Sequence, residues 1–169
     1  VFATGFQQSC SPIESIESIL ASADPSSYDH VNAGDYYVPP SVIVVAIDQR
    51  TGNVFVGGHF STIGNVTAYN IAFYDKGADQ WYRLRDRGLV NDANQYPGHV
   101  GALAIKGNYL FVGGNFSQTS TETLGSQPVT NLNNIAKYNI GAGTPEDVQR
   151  GTWSPLSDDG LSDTVNALV

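Results

Sequence analysis

The chain has 169 residues with 8 Lys and Arg against 16 Asp and Glu, a net charge of −8 and a pI near 4.5, and only 14% of its side chains are charged. This argues against nucleic acid as a partner, because a phosphate-binding face needs clustered Lys and Arg; the basic residues are scattered, apart from Arg83, Arg85 and Arg87, whose alternation predicts all three on one face of a strand or its exit. No apolar run approaches the roughly eighteen residues of a membrane span, so no membrane span is expected in this segment.

Residues 1–40 read as an N-terminal segment. Phe2 to Phe6 suit a strand finishing an earlier unit. Ser11-Pro12-Ile13-Glu14 combines a capping Ser, a Pro at the first helical position and a Glu three after the Ser. Ile13, Ile16, Ile19 and Leu20 then form a one-sided apolar stripe that stops before Asp24-Pro25. The expectation is a short helix over about 12–22, docked as a plug or cap on the first blade-like unit. Tyr36-Tyr37-Val38-Pro39-Pro40 reads as an extended lead into Val42.

The rest of the chain repeats itself. Asn53-Val54-Phe55-Val56-Gly57-Gly58-His59-Phe60 returns as Asn108-Tyr109-Leu110-Phe111-Val112-Gly113-Gly114-Asn115-Phe116. Asn70-Ile71-Ala72-Phe73-Tyr74-Asp75 returns as Asn134-Ile135-Ala136-Lys137-Tyr138-Asn139, and Gln80-Trp81-Tyr82-Arg83-Leu84 as Thr152-Trp153-Ser154-Pro155-Leu156. Asp86-Arg87-Gly88-Leu89 matches Asp158-Asp159-Gly160-Leu161, and Val100-Gly101-Ala102-Leu103-Ala104 matches Val165-Asn166-Ala167-Leu168-Val169. A period of 58 residues from Ala46 to Ala104 and 65 from Val100 to Val165 lies in or just above the range of arrays and propellers. The units are 41–99 and 100–164, with 165–169 as the first strand of a third.

Each block is a short run rich in Val, Ile, Phe, Tyr and Trp, bounded by Gly, Asn, Asp or Pro, so each unit is four strands and the fold is all-β. Ser41 to Ile47 and Val100 to Ile105 are almost unbroken apolar runs, which predicts a first strand covered on both faces. Gly52-Asn53 and Gly107-Asn108 supply the residues of a tight turn into the second strand, making a hairpin. The glycine pairs Gly57-Gly58 and Gly113-Gly114 leave room for a close backbone or a bulge, and Tyr74 with Trp81, like Tyr138 with Trp153, are the groups expected to fill the gap. Gln118-Thr119-Ser120-Thr121-Glu122-Thr123 and Gly141-Ala142-Gly143-Thr144-Pro145 are insertions in the second unit that read as surface loops.

Four antiparallel strands with a glycine pair on the second, a tyrosine on the third and a tryptophan on the fourth resemble the kelch and galactose-oxidase-like β-propeller blade. The consensus V-x-A-x-A-I, F-V-G-G-x-F, N-I-A-x-Y, W-x-x-L, D-x-G-L is similar to the repeats of the fungal cortical bud-site-selection family and of bacterial and protist surface proteins. The second unit departs from the blade spacing, with Tyr138 and Trp153 fifteen residues apart against seven for Tyr74 and Trp81. The resemblance covers about 41–169 and implies a segment of a large, membrane-anchored secretory glycoprotein with a propeller-like ectodomain. A closed ring needs roughly four to eight blades, so its partners are remaining blades of the same protein or further copies.

Chemistry is sparse. Asn65-Val66-Thr67 and Asn115-Phe116-Ser117 are N-glycosylation sequons. Cys10 is the single cysteine, so it is free, bonded to a second chain, or paired with a residue beyond this segment. His30, His59 and His99 lack zinc-ligand spacing, and the copper ligand set of galactose oxidase is missing. Asp158, Asp159 and Asp163, with Asp86 and Asp92 in the matching loop, are oxygen-rich enough to suggest calcium but lack the twelve-residue pattern and read first as turn chemistry. No G-x-S-x-G occurs. The expectation is therefore no cofactor, no metal and no catalysis. An acidic β protein rich in Ser, Thr, Asn and Gly is typical of an extracellular surface. The leading expectation is a non-enzymatic scaffold or recognition segment, secreted or cell-surface, that presents its loops to a surface protein or glycan ligand. The alternatives are a subdomain of a secreted carbohydrate-active or oxidative enzyme with its catalytic residues elsewhere, and a self-assembling extracellular structural protein.

Overall fold

A computed structural model of the protein describes residues 19–21, 23–25, 39–91, 98–120, 127–156 and 160–168. Cys10, His30, Asp92, Asp158, Asp159, the proposed strand over 2–6 and most of the expected N-terminal helix lie outside the described residues; 19–21, inside them, are helical. The protein is all-β.

Two four-stranded antiparallel sheets carry the two units. In the first, β1 (Ser41–Ile47), β2 (Val54–His59), β5 (Ile71–Asp75) and β6 (Gln80–Arg83) lie side by side in chain order. A small hairpin, β3 (Thr62–Ile63) with β4 (Val66–Thr67), is inserted after β2. The second sheet repeats this with β8 (His99–Lys106), β9 (Tyr109–Asn115), β11 (Ile135–Asn139) and β12 (Trp153–Pro155). Between the sheets, β7 (Leu89–Val90) pairs with β10 (Gln118–Thr119), tying the second unit's long loop to the end of the first. Gly52 at φ +76° and Gly107 at φ +58° make the two tight turns.

Strand periodicity sends alternate residues to opposite faces, and both faces of the first sheet are buried. Phe55, Ile71 and Phe73, with Leu84 and Leu89 beyond β6, pack against Leu110, Val112, Phe116, Leu132, Ala136, Tyr138 and Trp153 of the second unit. On the other face Val54, Val56, Phe60, Ala68, Ala72, Tyr74 and Trp81 form a second core with Ile19 and Ala23. These seven residues are the first unit's counterparts of the seven just named from the second. Ile19 and Ala23 therefore cover the face that, one unit later, is covered by a preceding sheet, as expected of a cap.

Four expectations need correction. The first strands are sheet edges and are not covered throughout on both faces: β1 is half-buried with Ile43 exposed, and β8 buries Val100 and Ala102 while its other residues stay half-buried or exposed. Arg83, Arg85 and Arg87 do not alternate along a strand: β6 ends at Arg83, and a tight turn at its exit over Arg85–Arg87 puts Asp86 and Arg87 at positive φ. The insertion after β11 is partly helical: α1 (Pro145–Gln149) has Thr144 as its cap, accepting from the Asp147 N–H, and buries Val148. Residues 164–168 form no strand. Val165 contributes one backbone hydrogen bond, to the Gly114 carbonyl, rather than a ladder.

Candidate functional site

The glycine pairs hold the key contacts between units, and the structure assigns each glycine a separate task. A Cβ on Gly57 would stand 2.4 Å from Val100 Cγ1, and one on Gly113 would stand 2.4 Å from Val165 Cγ1. The first glycine of each pair is thus the seat for the valine that opens the next unit. The second glycine faces backbone: a Cβ on Gly58 would lie 2.0 Å from the Ser41 carbonyl oxygen, and one on Gly114 would lie 2.1 Å from that of His99. Both approaches coincide with register shifts, between Val42 and Val44 and between Val100 and Ala102. The gap is filled by valine and a bulged backbone, not by the tyrosine and tryptophan expected there.

Those aromatics have a different role. Tyr138 and Trp153 pack with ring centroids 4.5 Å apart and reach across to the first unit. The Arg85 N–H donates to Tyr138 Oη at 3.0 Å, and Trp153 Nε1 donates to the Arg85 carbonyl at 3.2 Å. Tyr138 in turn donates to the Val148 carbonyl, and burial pushes its phenol pKa upward. Tyr74 and Trp81 form the matching pair at 5.3 Å. Tyr74 donates to Asp79 Oδ1, and that bond, with burial, pushes its pKa up to about 12.

Asn70 and Asn134 were legible only as the start of a repeated block, yet each clamps its unit. Asn70, at φ +65°, accepts from the Phe60 N–H and donates to the Leu89 carbonyl at 2.8 Å. Asn134, at φ +70°, accepts from Phe116 N–H and donates to the Leu161 carbonyl at 2.9 Å. An asparagine at left-handed φ with both amide atoms engaged is a backbone device, and its recurrence before the third strand was the available signal.

A polar network joins the units at the hairpin ends. Buried Asp48 accepts from Arg50 Nη2 at 2.7 Å and Nε at 2.9 Å, while Arg50 Nη1 reaches Asn108 Oδ1 and the Gly141 carbonyl. Asn53 Nδ2 donates to the Gly143 carbonyl at 2.9 Å. Burial alone would raise the Asp48 pKa, but the hydrogen bonds and charge of Arg50 outweigh it and hold the carboxyl below its ordinary value. At the opposite end His59 Nδ1 lies 3.0 Å from the Gly98 carbonyl, and burial together with His59 lowers the pKa of His99.

Among the described residues, no three of His, Cys, Asp and Glu gather where a metal ion would be held. Asp86 engages Arg85 at 3.9 Å, and Asp163 Oδ1 accepts from the Thr164 N–H. The described residues line open clefts. One of about 560 Å³ lies between β6 and α1, lined by Tyr82, Arg83, Glu146, Gln149 and Arg150. Another of about 570 Å³ is lined by Asn91, Asn115, Ser117, Asn133 and Leu161. Asn65 is exposed at the tip of the β3–β4 hairpin, whereas Asn115 is half-buried at the end of β9, opposite His99.

The far face of the second sheet is the counterpart of the buried face of the first. Leu156 is 44% exposed and Leu161 45% exposed, where Leu84 and Leu89 are fully buried. The Leu161 backbone is nonetheless held as in the first unit, its N–H donating to the Asn133 carbonyl as Leu89 donates to Tyr69. Lys137 and Ser154 replace Phe73 and Tyr82 on this face, while Phe111 stands where the first unit has Phe55. Comparisons of the chain with protein-family models, with curated proteins and with solved structures found no match.

Proposed function

We propose that this chain is a non-enzymatic scaffold or recognition segment of a secreted or cell-surface repeat protein built from kelch-like, β-propeller-like blades. One observation carries the reading: the valine-into-glycine contact that joins the two units recurs on the far side of the second. Val165 occupies the Gly113 seat, and Leu156 and Leu161 are exposed where their counterparts Leu84 and Leu89 are buried against the next sheet. A further blade of the same kind completes that face. The mechanism is presentation, in which packed sheets hold loops at fixed positions. The cleft beside α1 offers the Tyr82 ring and the Gln149 amide, groups suited to a glycan or a surface protein.

The test is the intact mass of the protein isolated from its source, with peptide sequencing. The expected result is a species far above 18.0 kDa containing further glycine-pair, tyrosine and tryptophan blocks, recovered in the surface or secreted fraction. A species of 18.0 kDa in the cytosolic fraction overturns the reading. The same apolar face also favours a second reading, self-assembly of copies. Sedimentation separates the two, because assembly requires large particles from the 169-residue chain alone, and these should dissolve when Leu156 and Leu161 are both changed to Asp.

A further inference from the structure

The two sequons are equivalent in sequence pattern but not in structure. Asn65 occupies a two-residue turn with Gly64, which sits at φ +55° between the paired residues Ile63 and Val66. Its side chain is exposed and makes no hydrogen bond to any described residue. The hairpin beneath it is fixed, because Ile63 is fully buried in the core that also holds Ile19 and Ala23, and the Gly64 N–H donates to the Ala23 carbonyl. Asn65 is thus exposed at the tip of a fixed hairpin whose Ile63 belongs to the core on the face of the first sheet away from the second.

Asn115-Phe116-Ser117 is embedded in the sheet instead. Asn115 ends β9 in register with His99, and a Cβ on Gly98 would lie 2.1 Å from the Asn115 carbonyl oxygen, so that backbone is closely covered. Phe116 is buried and its N–H donates to Asn134 Oδ1. The Ser117 N–H donates to the Val90 carbonyl and its hydroxyl to the Asn91 carbonyl. Presenting this sequon to a modifying enzyme means breaking the ladder, the asparagine clamp and the hydroxyl contact together. Presenting the Asn65 sequon disturbs only the two-residue pairing of Val66 and Thr67 with Ile63 and Thr62.

We propose that Asn65 is the glycan acceptor of this chain and that Asn115 is left unmodified. The inference rests on the secretory reading above. In the transfer, Asn65 Nδ2 forms a bond to the anomeric carbon of an oligosaccharide carried on a lipid diphosphate. The bond from that carbon to the diphosphate oxygen breaks, the lipid diphosphate leaves with the electron pair, and Nδ2 gives up one proton. The attached sugar projects from the hairpin tip and leaves the Leu156 and Leu161 face free for a neighbouring unit.

The full chain, led into the secretory pathway of a eukaryotic host by a cleavable leader, is weighed before and after peptide N-glycosidase in heavy-oxygen water, both from the medium and from the secretory compartments. The expected result is one glycan, with the released site marked as labelled Asp at position 65. Asn65→Gln should abolish the mass step and Asn115→Gln should leave it intact. No glycan on the wild-type chain, or label at position 115, overturns the proposal. Protein from the native source separates the two ideas: a bare native chain alongside a host-made chain glycosylated at Asn65 sinks the secretory reading while the acceptor assignment stands.

Discussion

A methyl group added at Gly57 probes the contact between units directly. A Cβ there would lie 2.4 Å from Val100 Cγ1, 3.0 Å from Val100 Cβ and 2.9 Å from Val44 Cγ1. Both obstacles are β-branched side chains with stiff χ1, so Gly57→Ala is expected to cost about 1–3 kcal/mol, the range for overpacking. Val100→Ala removes two fully buried methyl groups, each about 0.8 kcal/mol by burial, and so about 2–3 kcal/mol once the cavity is included. In the double variant the new methyl occupies space that the valine vacates. Its destabilisation should fall below the sum of the singles by about 1–2 kcal/mol, within the coupling range for touching residues. Urea unfolding gives each value from the midpoint, provided the slope is unchanged. Additivity to within about 0.5 kcal/mol would refute the seat. Gly58→Ala is the control: its obstacle is the Ser41 carbonyl oxygen at 2.0 Å, so Val100→Ala should bring it no relief. Gly113→Ala should cost less than roughly half of Gly57→Ala, because Val165 lies outside any strand and can move aside.

Three further outcomes rest on the same geometry. Asn70→Ala should destabilise by about 1–3 kcal/mol for the stranded Phe60 and Leu89 groups, plus about 1 kcal/mol for the left-handed backbone; Asn70→Gly keeps the φ and should be the milder change in the same unfolding assay. Asp48 has a folded pKa below its unfolded value, so the stability it contributes is present above the unfolded carboxyl pKa of about 3.9 and is lost as pH falls through the lower folded value. Asp48→Asn should therefore flatten the acid limb of a stability-versus-pH curve below about pH 4, and an unchanged limb would contradict the Arg50 contact. Tyr74 has a folded pKa raised to about 12, so its contribution is whole below pH 10, the ordinary phenol value, and is lost as pH rises towards 12. Asp79→Asn should bring that titration to lower pH in a phenolate absorbance measurement.

The repeated blocks by themselves determined the class of fold, the strand order within each unit and the turns at Gly52 and Gly107. These are local matters: alternation, β-branched and aromatic content, and glycine at positive φ act within a few residues. Repetition also marked the glycine pairs as packing positions. Which groups fill them was decided by tertiary structure, because Val100 and Val165 lie 43 and 52 residues beyond the glycines they meet, and no local pattern carries a contact of that span. The same holds for the Tyr138 and Trp153 contacts with the Arg85 peptide, for Arg50 reaching Asn108, and for the difference between Asn65 and Asn115, which share a sequon and differ in what surrounds them. The short helix α1 is the exception. Thr144-Pro145-Glu146-Asp147 carries a cap, a first-turn proline and acidic residues in local sequence, but flanking glycines masked it. Sequence sets what a segment can adopt alone; the burial of Leu84 and the exposure of Leu156 depend on which sheet lies opposite, and that is set by the packing of one unit on the next.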